Sequence, residues 1–460
     1  MLRIFLLSFA LILLKLSYAA DIDWQRTPDL DELSAVVFKP VEQKIVEHKF
    51  ERRGFVEVPF DYHRPEGPWL KIFYRLIPSL NLRADDTLVP IMVVVNGGPG
   101  LQSGLYQNYE LDYTNDEEVL KSRLYQLRKN FRILILDQRG TNGYSAPLDL
   151  LDPHINPNII ARYFDSDEHA WDHHAVIQAV IPSDQDFYMI AQSYGGQIGM
   201  HYMLLDGINR FPKALIFSSS LLPHMDSITP LVARRESQKA LNLRLKSQCP
   251  EIELKLQKLR NHFAKHSFDE NSVNYLWKNL GKGANWENEI NDEIEDLLGA
   301  DQKALHDFLA DSSHGVDLLN YILSSAAVSP GYTDRGMAQE VMAQTSFDPW
   351  MIDELWTLVQ IGTDKDAPWL KPLIKSIDNN PPPKVNYPLI EEMKSKLRQT
   401  KILYTVASND AYLELSNLTQ HITKFLDPPY SQIRTLPGGH PAIFSKDGSA
   451  TILDFIGRKD

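Results

Sequence analysis

The chain has 460 residues, of which 43% are hydrophobic and 23% are charged, and this length allows two to four domains or one large domain with an insertion. Its formal net charge is −13 at pH 7, and it has no basic stripe, which argues against a nucleic-acid-binding protein. Because Cys249 is the only cysteine in the sequence, an internal disulfide is excluded.

The N-terminus has the three parts of a secretory signal peptide. Arg3 provides a positive charge, residues 4–14 form an apolar run, and Ser17 and Ala19 place small residues at both cleavage positions. We therefore expect residues 1–19 to be a signal peptide and the protein to be exported, either to a periplasm or out of the cell. The alternative is a membrane anchor, but the run is shorter than the roughly 20 residues that span a bilayer.

Strand and helix patterns then alternate. Antiparallel lead-in strands are predicted over residues 55–60 and 70–77. Nearly all-apolar runs, typical of strands buried on both faces of a parallel sheet, occupy residues 89–95, 132–137, 186–191 and 213–220. Helix-spaced apolar positions lie at about 105–129, 165–181 and 194–205. This alternation predicts a doubly wound, mostly parallel α/β sheet.

The pattern changes over residues 222–390, where charged segments with helical spacing replace the buried-strand runs. This region ends in the proline-rich segment 379–388, which is typical of a linker. We therefore expect an inserted α-helical cap over residues 222–390.

Strand patterns resume at residues 401–407 and 431–437, and a helix is predicted over residues 443–456. The sheet domain is thus expected in two parts, residues 20–221 and residues 391–460.

The segment AQSYGG, residues 191–196, follows a predicted strand and precedes a predicted helix. In a nucleophile elbow the serine needs small neighbours two residues before and two residues after it. Gly195 meets this requirement, and Ala191 replaces the usual first glycine at a cost of one methyl group. Ser193 is therefore a candidate nucleophile, and a helix-capping serine is the structural alternative.

A nucleophilic serine needs a base, and the base needs an acid that orients it. On a sheet of this kind the order along the chain is serine, acid, histidine. Asp410 follows the strand at 401–407 and is the candidate acid, while His440 lies in a glycine-containing loop after the last strand and is the candidate base. A helix-capping aspartate and a surface-loop histidine are the structural alternatives.

An oxyanion hole needs one backbone N–H after the nucleophile and one from the loop after the third strand. Tyr194 provides the first. The segment NGGPG at residues 96–100 provides the second, with Gly98 as the preferred donor and Gly97 as the next candidate. A tight turn is the structural alternative. A phosphate-binding loop is disfavoured, because neither GxGxxG nor a following Gly-Lys-Ser/Thr is present.

Two other pairs of polar residues are interpreted as structural. Asp137 and Arg139 follow a buried strand and are expected to pair with each other and hold their loop. His169 and His173 are spaced like metal ligands on one helix face, but HExxH is absent and the segment has the periodicity of the helix before the nucleophile strand. No metal or organic cofactor is expected.

Together these motifs resemble those of the proline iminopeptidase (prolyl aminopeptidase) family of serine peptidases, which have the α/β-hydrolase fold. The family's HGGPG, DQRGxGxS and GxSxGG motifs and its acid and histidine loops correspond here to residues 96–100, 137–145, 191–196, 407–410 and 438–440. The resemblance covers residues 45–222 and 400–458. Asn96, Ala191 and Ala407 depart from the family's pattern, because Asn96 replaces a histidine and each alanine replaces a glycine.

The resemblance implies an α/β-hydrolase fold with a Ser193, Asp410 and His440 triad, and release of N-terminal proline or a similar residue from short peptides. In this family acidic cap residues hold the α-amino group of the substrate, and Glu236 is the candidate here by position only, with a surface glutamate as the alternative. The expected partner is a short peptide or a small acyl substrate. Neither nucleic-acid binding nor stable membrane insertion is expected, and the sequence does not indicate an oligomeric state. An exported esterase or amidase with the same triad, and an inactive fold used as a binding module, are the rival interpretations.

Overall fold

The structure is a computed structural model. It describes the following residues: 29–38, 51–80, 89–98, 103, 124–141, 144–146, 148, 159, 162–220, 228–281, 285–313, 341–342, 348–353, 395, 397–398, 400–410 and 431–457. The predicted signal peptide, the proline-rich segment 379–388 and most of the helical pattern at 105–129 lie outside the described residues.

The described residues contain one mixed sheet. Its strands are β1 (Arg52–Pro59), β2 (Trp69–Ile77), β3 (Ile91–Val95), β4 (Arg132–Leu136), β5 (Phe187–Gln192), β6 (Ala214–Ser218), β7 (Lys401–Ala407) and β8 (Ser431–Leu436). Their order is β1-β2-β4-β3-β5-β6-β7-β8. The β1–β2 and β2–β4 pairs are antiparallel and every other pair is parallel, which confirms the predicted doubly wound, mostly parallel sheet.

Helices of the described chain precede, separate and follow these strands. They are α1 (Leu30–Ser34), α2 (Tyr125–Arg128), α3 (Ser166–Val180), α4 (Gly195–Leu204), α5 (Ile228–Gln248), α6 (Ile252–Lys265), α7 (Trp286–Gly299), α8 (Gln302–Ser313) and α9 (Lys446–Ile456), with 3₁₀ helices at Glu270–Asn279 and Ala442–Phe444. Within the described ranges, no helix has both the length and the apolar character needed to cross a membrane.

The apolar runs give the strands close to their predicted bounds, and two differences have local causes. The strand predicted over 213–220 ends at Ser218, because Ser219 takes a φ of 46° and leaves the extended region. The terminal helix begins at Lys446, because the side chain of Ser445 accepts a hydrogen bond from the Gly448 N–H and caps it.

Apolar side chains cover both faces of the sheet. All five residues of β3 are fully buried, with Val93 and Val95 in one core and Met92 and Val94 in the other, as the alternation of side chains along a strand requires. Helices α3 and α4 pack on the first face, and α2 and α9 contribute to the core on the second. This packing on both faces holds the carboxyl ends of the parallel strands in place.

A separate apolar core joins α5, α6, α7 and the 3₁₀ helix Glu270–Asn279. Its centre is formed by fully buried side chains that include Leu245, Leu256, Phe263, Trp286 and Ile290. These helices lie within the predicted cap, whose bounds at residues 222 and 390 fall outside the described residues, so the domain division stays a prediction.

The pairing predicted between Asp137 and Arg139 is wrong. The carboxylate of Asp137 instead accepts hydrogen bonds from the backbone N–H groups of Tyr144 and Ser145 in its own loop region, at 2.7 and 3.0 Å, and from Ser103 N–H, 34 residues earlier, at 2.8 Å. Arg139 is fully buried and needs a bidentate partner, which Asp172 on α3 provides at 2.8 and 2.6 Å. The ion pair therefore joins the loop after β4 to α3.

Glu168 lies beside this pair, with Oε2 3.4 Å from Arg139 Nη1. Burial raises the pKa of the Glu168 carboxyl to about 9, and the attraction of Arg139 opposes this without overcoming it. The reason is that Asp172 already balances the Arg139 charge. Glu168 is therefore protonated in the native protein at neutral pH.

We expect Glu168→Gln to gain stability relative to the wild type as the pH rises from about 5 to about 9. The native carboxyl keeps its proton up to about pH 9, whereas the unfolded side chain releases its proton near pH 4.5, so the wild type loses stability across this window. Glutamine cannot ionise and avoids that loss. Free energies of unfolding, measured by denaturant titration at several pH values, would show a widening difference between the two proteins. A difference that stays constant with pH would contradict the protonated assignment.

Candidate active site

The turn between β5 and α4 holds Ser193 in a rare backbone conformation. Its φ is 55°, in the left-handed region that non-glycine residues seldom adopt, and its backbone N–H donates to the carbonyl oxygen of Ser218 at 2.9 Å. Such strain, of about 1–3 kcal/mol, persists where the surroundings enforce it and is concentrated at functional sites. A serine in this conformation between a strand and a helix is the geometry of a nucleophile elbow.

Two glycines after Ser193 allow the turn to lie directly against neighbouring strands. A Cβ on Gly195 would lie 2.4 Å from the carbonyl oxygen of Val95, at the end of β3. A Cβ on Gly196 would lie 2.3 Å from the Cβ of Ser220, just after β6. Any side chain at these positions would push the elbow away from the sheet edge.

Gly199 explains how Ala191 replaces the usual first glycine. A Cβ built on Gly199 would lie 2.8 Å from the Cβ of Ala191, closer than such atoms approach in proteins. The missing side chain on α4 therefore makes room for the extra methyl group on β5.

The loop after β3 lies against the nucleophile turn. A Cβ on Gly97 would lie 3.0 Å from the Cβ of Ser193 and 2.8 Å from Oε1 of Gln192, so a side chain there would press against the nucleophile turn. The next residue, Gly98, has a φ of 113°, which again favours glycine. Gln138, two residues after β4, supports this loop, because its Nε2 donates to the carbonyl oxygens of Asn96 and Gly97 at 3.1 and 3.0 Å.

The two predicted oxyanion donors belong to the turn of Ser193 and to the loop that contacts this turn. Tyr194 is the N-cap of α4, and Gly98 follows the glycine that contacts the turn. Pro99 and Gly100 lie outside the described residues. The oxyanion role of Gly98 and Tyr194 stays a prediction.

Asp410 and His440 form a hydrogen-bonded pair. His440 Nδ1 lies 3.0 Å from both carboxylate oxygens of Asp410, whose side chain is buried. Backbone bonds join their two loops, because Asn409 N donates to Gly438 O at 2.9 Å and Ser408 N donates to Leu436 O at 2.8 Å. A carboxylate in this position fixes the imidazole orientation and stabilises its protonated form.

The structure brings the candidate residues to one edge of the sheet. Ser193, Asp410 and His440 follow β5, β7 and β8, which are parallel, so their carboxyl ends share that edge. The imidazole of His440 bonds to Asp410 through Nδ1. Catalytic hydrogen bonds are often formed only with substrate present, so the Ser193–His440 contact stays a prediction.

Glu236, the predicted substrate-binding residue, is exposed on α5. Nothing in the described part of the chain records a contact between it and the triad residues, so its role also stays a prediction. Sequence reasoning missed two other α5 residues, Ser237 and Arg244, which hydrogen-bond to the Asp410 loop. No local pattern could have identified them, since their partners lie more than 160 residues further along the chain.

The face of α3 that carries His169 and His173 is buried against the fold. His173 Nδ1 lies 2.7 Å from the carbonyl oxygen of His169, one turn earlier on the same helix. A search of the described ranges finds no group of three or more histidine, cysteine, aspartate or glutamate residues placed to hold a metal ion.

Gly199→Ala is expected to destabilise the protein by about 1–3 kcal/mol, because the new methyl group would overlap that of Ala191. Ala191→Gly in the same chain should recover part of this loss. Denaturant unfolding of the two single variants and the double variant measures the coupling between the positions. Gly299→Ala is a matched control, because a Cβ there has no neighbour within 4 Å and should not destabilise the protein. If the effects of the two single variants simply add in the double variant, the claim that Gly199 makes room for the Ala191 methyl group is contradicted.

Comparison with known proteins supports this architecture. The α/β hydrolase fold family model matches residues 90–311. Proline iminopeptidase aneH of Aspergillus aculeatus is 28% identical over 169 residues, 35% of this chain and 34% of that protein. A proline iminopeptidase of Aeromonas sobria is 30% identical over 166 residues, again 35% and 34%. The chain thus aligns with about a third of the length of the relatives that it matches.

Solved structures that match the chain include a serine hydrolase from the polyaromatic hydrocarbon-degrading bacterium Cycloclasticus zankles. It is 13% identical, with a TM-score of 0.40 over 88% of this chain and 99% of that one. The sheet order, the family match and the two sequence relatives lead to one conclusion. The chain has the α/β-hydrolase fold, and about a third of it is similar in sequence to proline iminopeptidases.

Proposed function

We propose that the protein is an exported serine hydrolase that releases N-terminal proline, or a similar residue, from short peptides through an acyl-enzyme on Ser193. The observation that carries this proposal is the left-handed Ser193 after β5, at the sheet edge where the Asp410–His440 pair also lies. The two matched proline iminopeptidases support the choice of substrate. The apolar N-terminal run supports export.

The first chemical step is attack of Ser193 Oγ on the carbonyl carbon of the substrate. His440 Nδ1 is bonded to Asp410, so Nε2 is the ring nitrogen that accepts the serine proton. Asp410 keeps the imidazole in this tautomer and stabilises the imidazolium that forms. The Oγ–carbon bond then replaces the carbonyl π bond, and the negative charge moves to the carbonyl oxygen.

That oxyanion is stabilised by the backbone N–H groups of Gly98 and Tyr194. Collapse of the tetrahedral intermediate breaks the carbon–nitrogen bond, and the imidazolium of His440 gives its proton to the leaving amine. Water, deprotonated by His440, then hydrolyses the acyl-enzyme and restores Ser193. These steps use only groups of the chain and water.

The cap helices would limit the substrate to short peptides. In this proposal Glu236, a carboxylate on α5, attracts the free α-amino group of the substrate. Helix α5 also contacts the loop of Asp410 through Ser237, which connects the cap with the acid loop.

Ser193→Ala is expected to lower kcat by about 10⁴-fold or more with the fold retained, because it removes the nucleophile. Steady-state hydrolysis of a proline naphthylamide measures the effect. Circular dichroism checks the fold, and Ser247→Ala on α5, whose hydroxyl is exposed, is the matched control that should keep full activity. Full hydrolysis by Ser193→Ala would contradict the triad and every enzymatic interpretation that depends on it.

The proposed substrate class has a free amino group, which paired substrates can test. The wild type should release the reporter from a proline naphthylamide faster than from its N-acetylated analogue, because the free amino group contributes binding. Glu236→Gln should raise KM for the free-amine substrate and leave turnover of a short-chain p-nitrophenyl ester unchanged. Ester turnover without any release from N-terminal proline would contradict the peptidase and favour the esterase.

A further inference from the structure

Helix α5 of the cap contacts the loop that carries the candidate catalytic acid. Ser237 donates a hydrogen bond from its hydroxyl to the backbone carbonyl oxygen of Asp410 itself. Two turns later on the same helix, Arg244 Nη1 donates to Oδ1 of Asn409 at 3.0 Å. Ser237, Leu241 and Arg244 are spaced i, i+4 and i+7, so one face of α5 lies over the acid loop.

The Arg244 side chain is itself held by α7. Its Nε lies 2.6 Å from Oε1 of Glu287, and its guanidinium lies 5.6 Å from the centre of the Trp286 ring. Trp286 is fully buried in the core of the cap helices. The exposed guanidinium that reaches Asn409 thus also contacts two residues of α7.

The backbone of Gly281 completes the contact with the acid loop. A Cβ on Gly281 would lie 2.2 Å from the carbonyl oxygen of Asn409 and 3.2 Å from Leu241 Cδ1, and its φ is 69°. The cap and the acid loop thus meet by direct backbone approach as well as by hydrogen bonds.

On the other side, the same loop is joined to the histidine loop. Asn409 N donates to Gly438 O at 2.9 Å, and the Asp410 carboxylate accepts from His440 Nδ1 at 3.0 Å. A continuous series of contacts therefore leads from α5, through the backbone of residues 409–410, to the imidazole.

We propose that Ser237 is a positioning residue, which sets the Asp410 carboxylate against His440 from the cap, with Arg244 as a second support. The proposal rests on the triad proposed above. Its consequence is that the cap contributes to the chemical step as well as to substrate selection. The Ser237 hydroxyl touches no reacting atom and acts only through the backbone of Asp410.

The test compares Ser237→Val and Ser237→Thr, whose new side chains are isosteric with each other, with the wild type. Valine removes the hydroxyl and should lower kcat about tenfold, the value of one hydrogen bond, with KM nearly unchanged. It should also move the acid limb of the kcat/KM profile to lower pH, because a displaced carboxylate stabilises the imidazolium less. Threonine keeps a hydroxyl and should restore both. The low-field proton resonance of His440 Nδ1–H should weaken in Ser237→Val and return in Ser237→Thr.

A loss of thermal stability with kcat and the acid limb unchanged would overturn the proposal, as would equal behaviour of the valine and threonine variants. If Ser237→Val does not fold, Arg244→Gln is measured in the same way, and an unchanged kcat there would also overturn it. Ser193→Ala is assayed in parallel. Loss of activity in Ser193→Ala with full activity in Ser237→Val would reject the positioning role alone, whereas activity that survives in Ser193→Ala would reject both proposals.

Discussion

The arrangement of this site depends on the close approach between the turn after β5 and the ends of its neighbouring strands. Carbonyl oxygens of β3 and the Ser220 side chain occupy the space where side chains at Gly195 and Gly196 would lie. The Ser193 N–H is bonded to the end of β6. These constraints hold Ser193 at a φ of 55°, which an isolated chain would avoid. The energy of this strain is offset by the burial of the sheet on both faces.

Supporting groups around this turn come from distant parts of the chain. Gln138, after β4, holds the carbonyl oxygens of the glycine loop, and Arg139 next to it anchors α3 through Asp172. Breaking such a buried pair leaves an uncompensated charge, which typically costs about 3–5 kcal/mol. The DQRG segment therefore acts through two adjacent residues, one that orients the glycine loop and one that fixes the helix before the nucleophile strand. Asp137 stabilises the loop that follows this segment by accepting the backbone N–H groups of Tyr144 and Ser145.

Much of the sheet could be predicted because its signals are local. Residues 91–95, for example, are apolar at every position, which is typical of a strand buried on both faces of a parallel sheet. The order of Ser193, Asp410 and His440 followed from the strands that precede them, and the Asp410–His440 bond agrees with it.

The contacts that could not be predicted connect segments far apart in sequence. Arg139 and Asp172 are 33 residues apart, and Ser237 and Asp410 are 173 residues apart. Their pairing depends on how helices dock, and the periodicity of a single segment carries no information about that. The same limit explains the error at Asp137. Proximity in sequence suggested Arg139 as its partner, but backbone N–H groups satisfy the Asp137 carboxylate instead.

The central claim is that Ser193 is an activated nucleophile, and covalent labelling tests it most directly. The native protein is treated with a serine-directed phosphonate and digested, and the modified peptide is mapped by mass spectrometry. The account predicts one modified site, at Ser193, with slower labelling in Asp410→Asn and no labelling of heat-denatured protein. Absence of labelling in the native protein, or a label on a different serine, would contradict it.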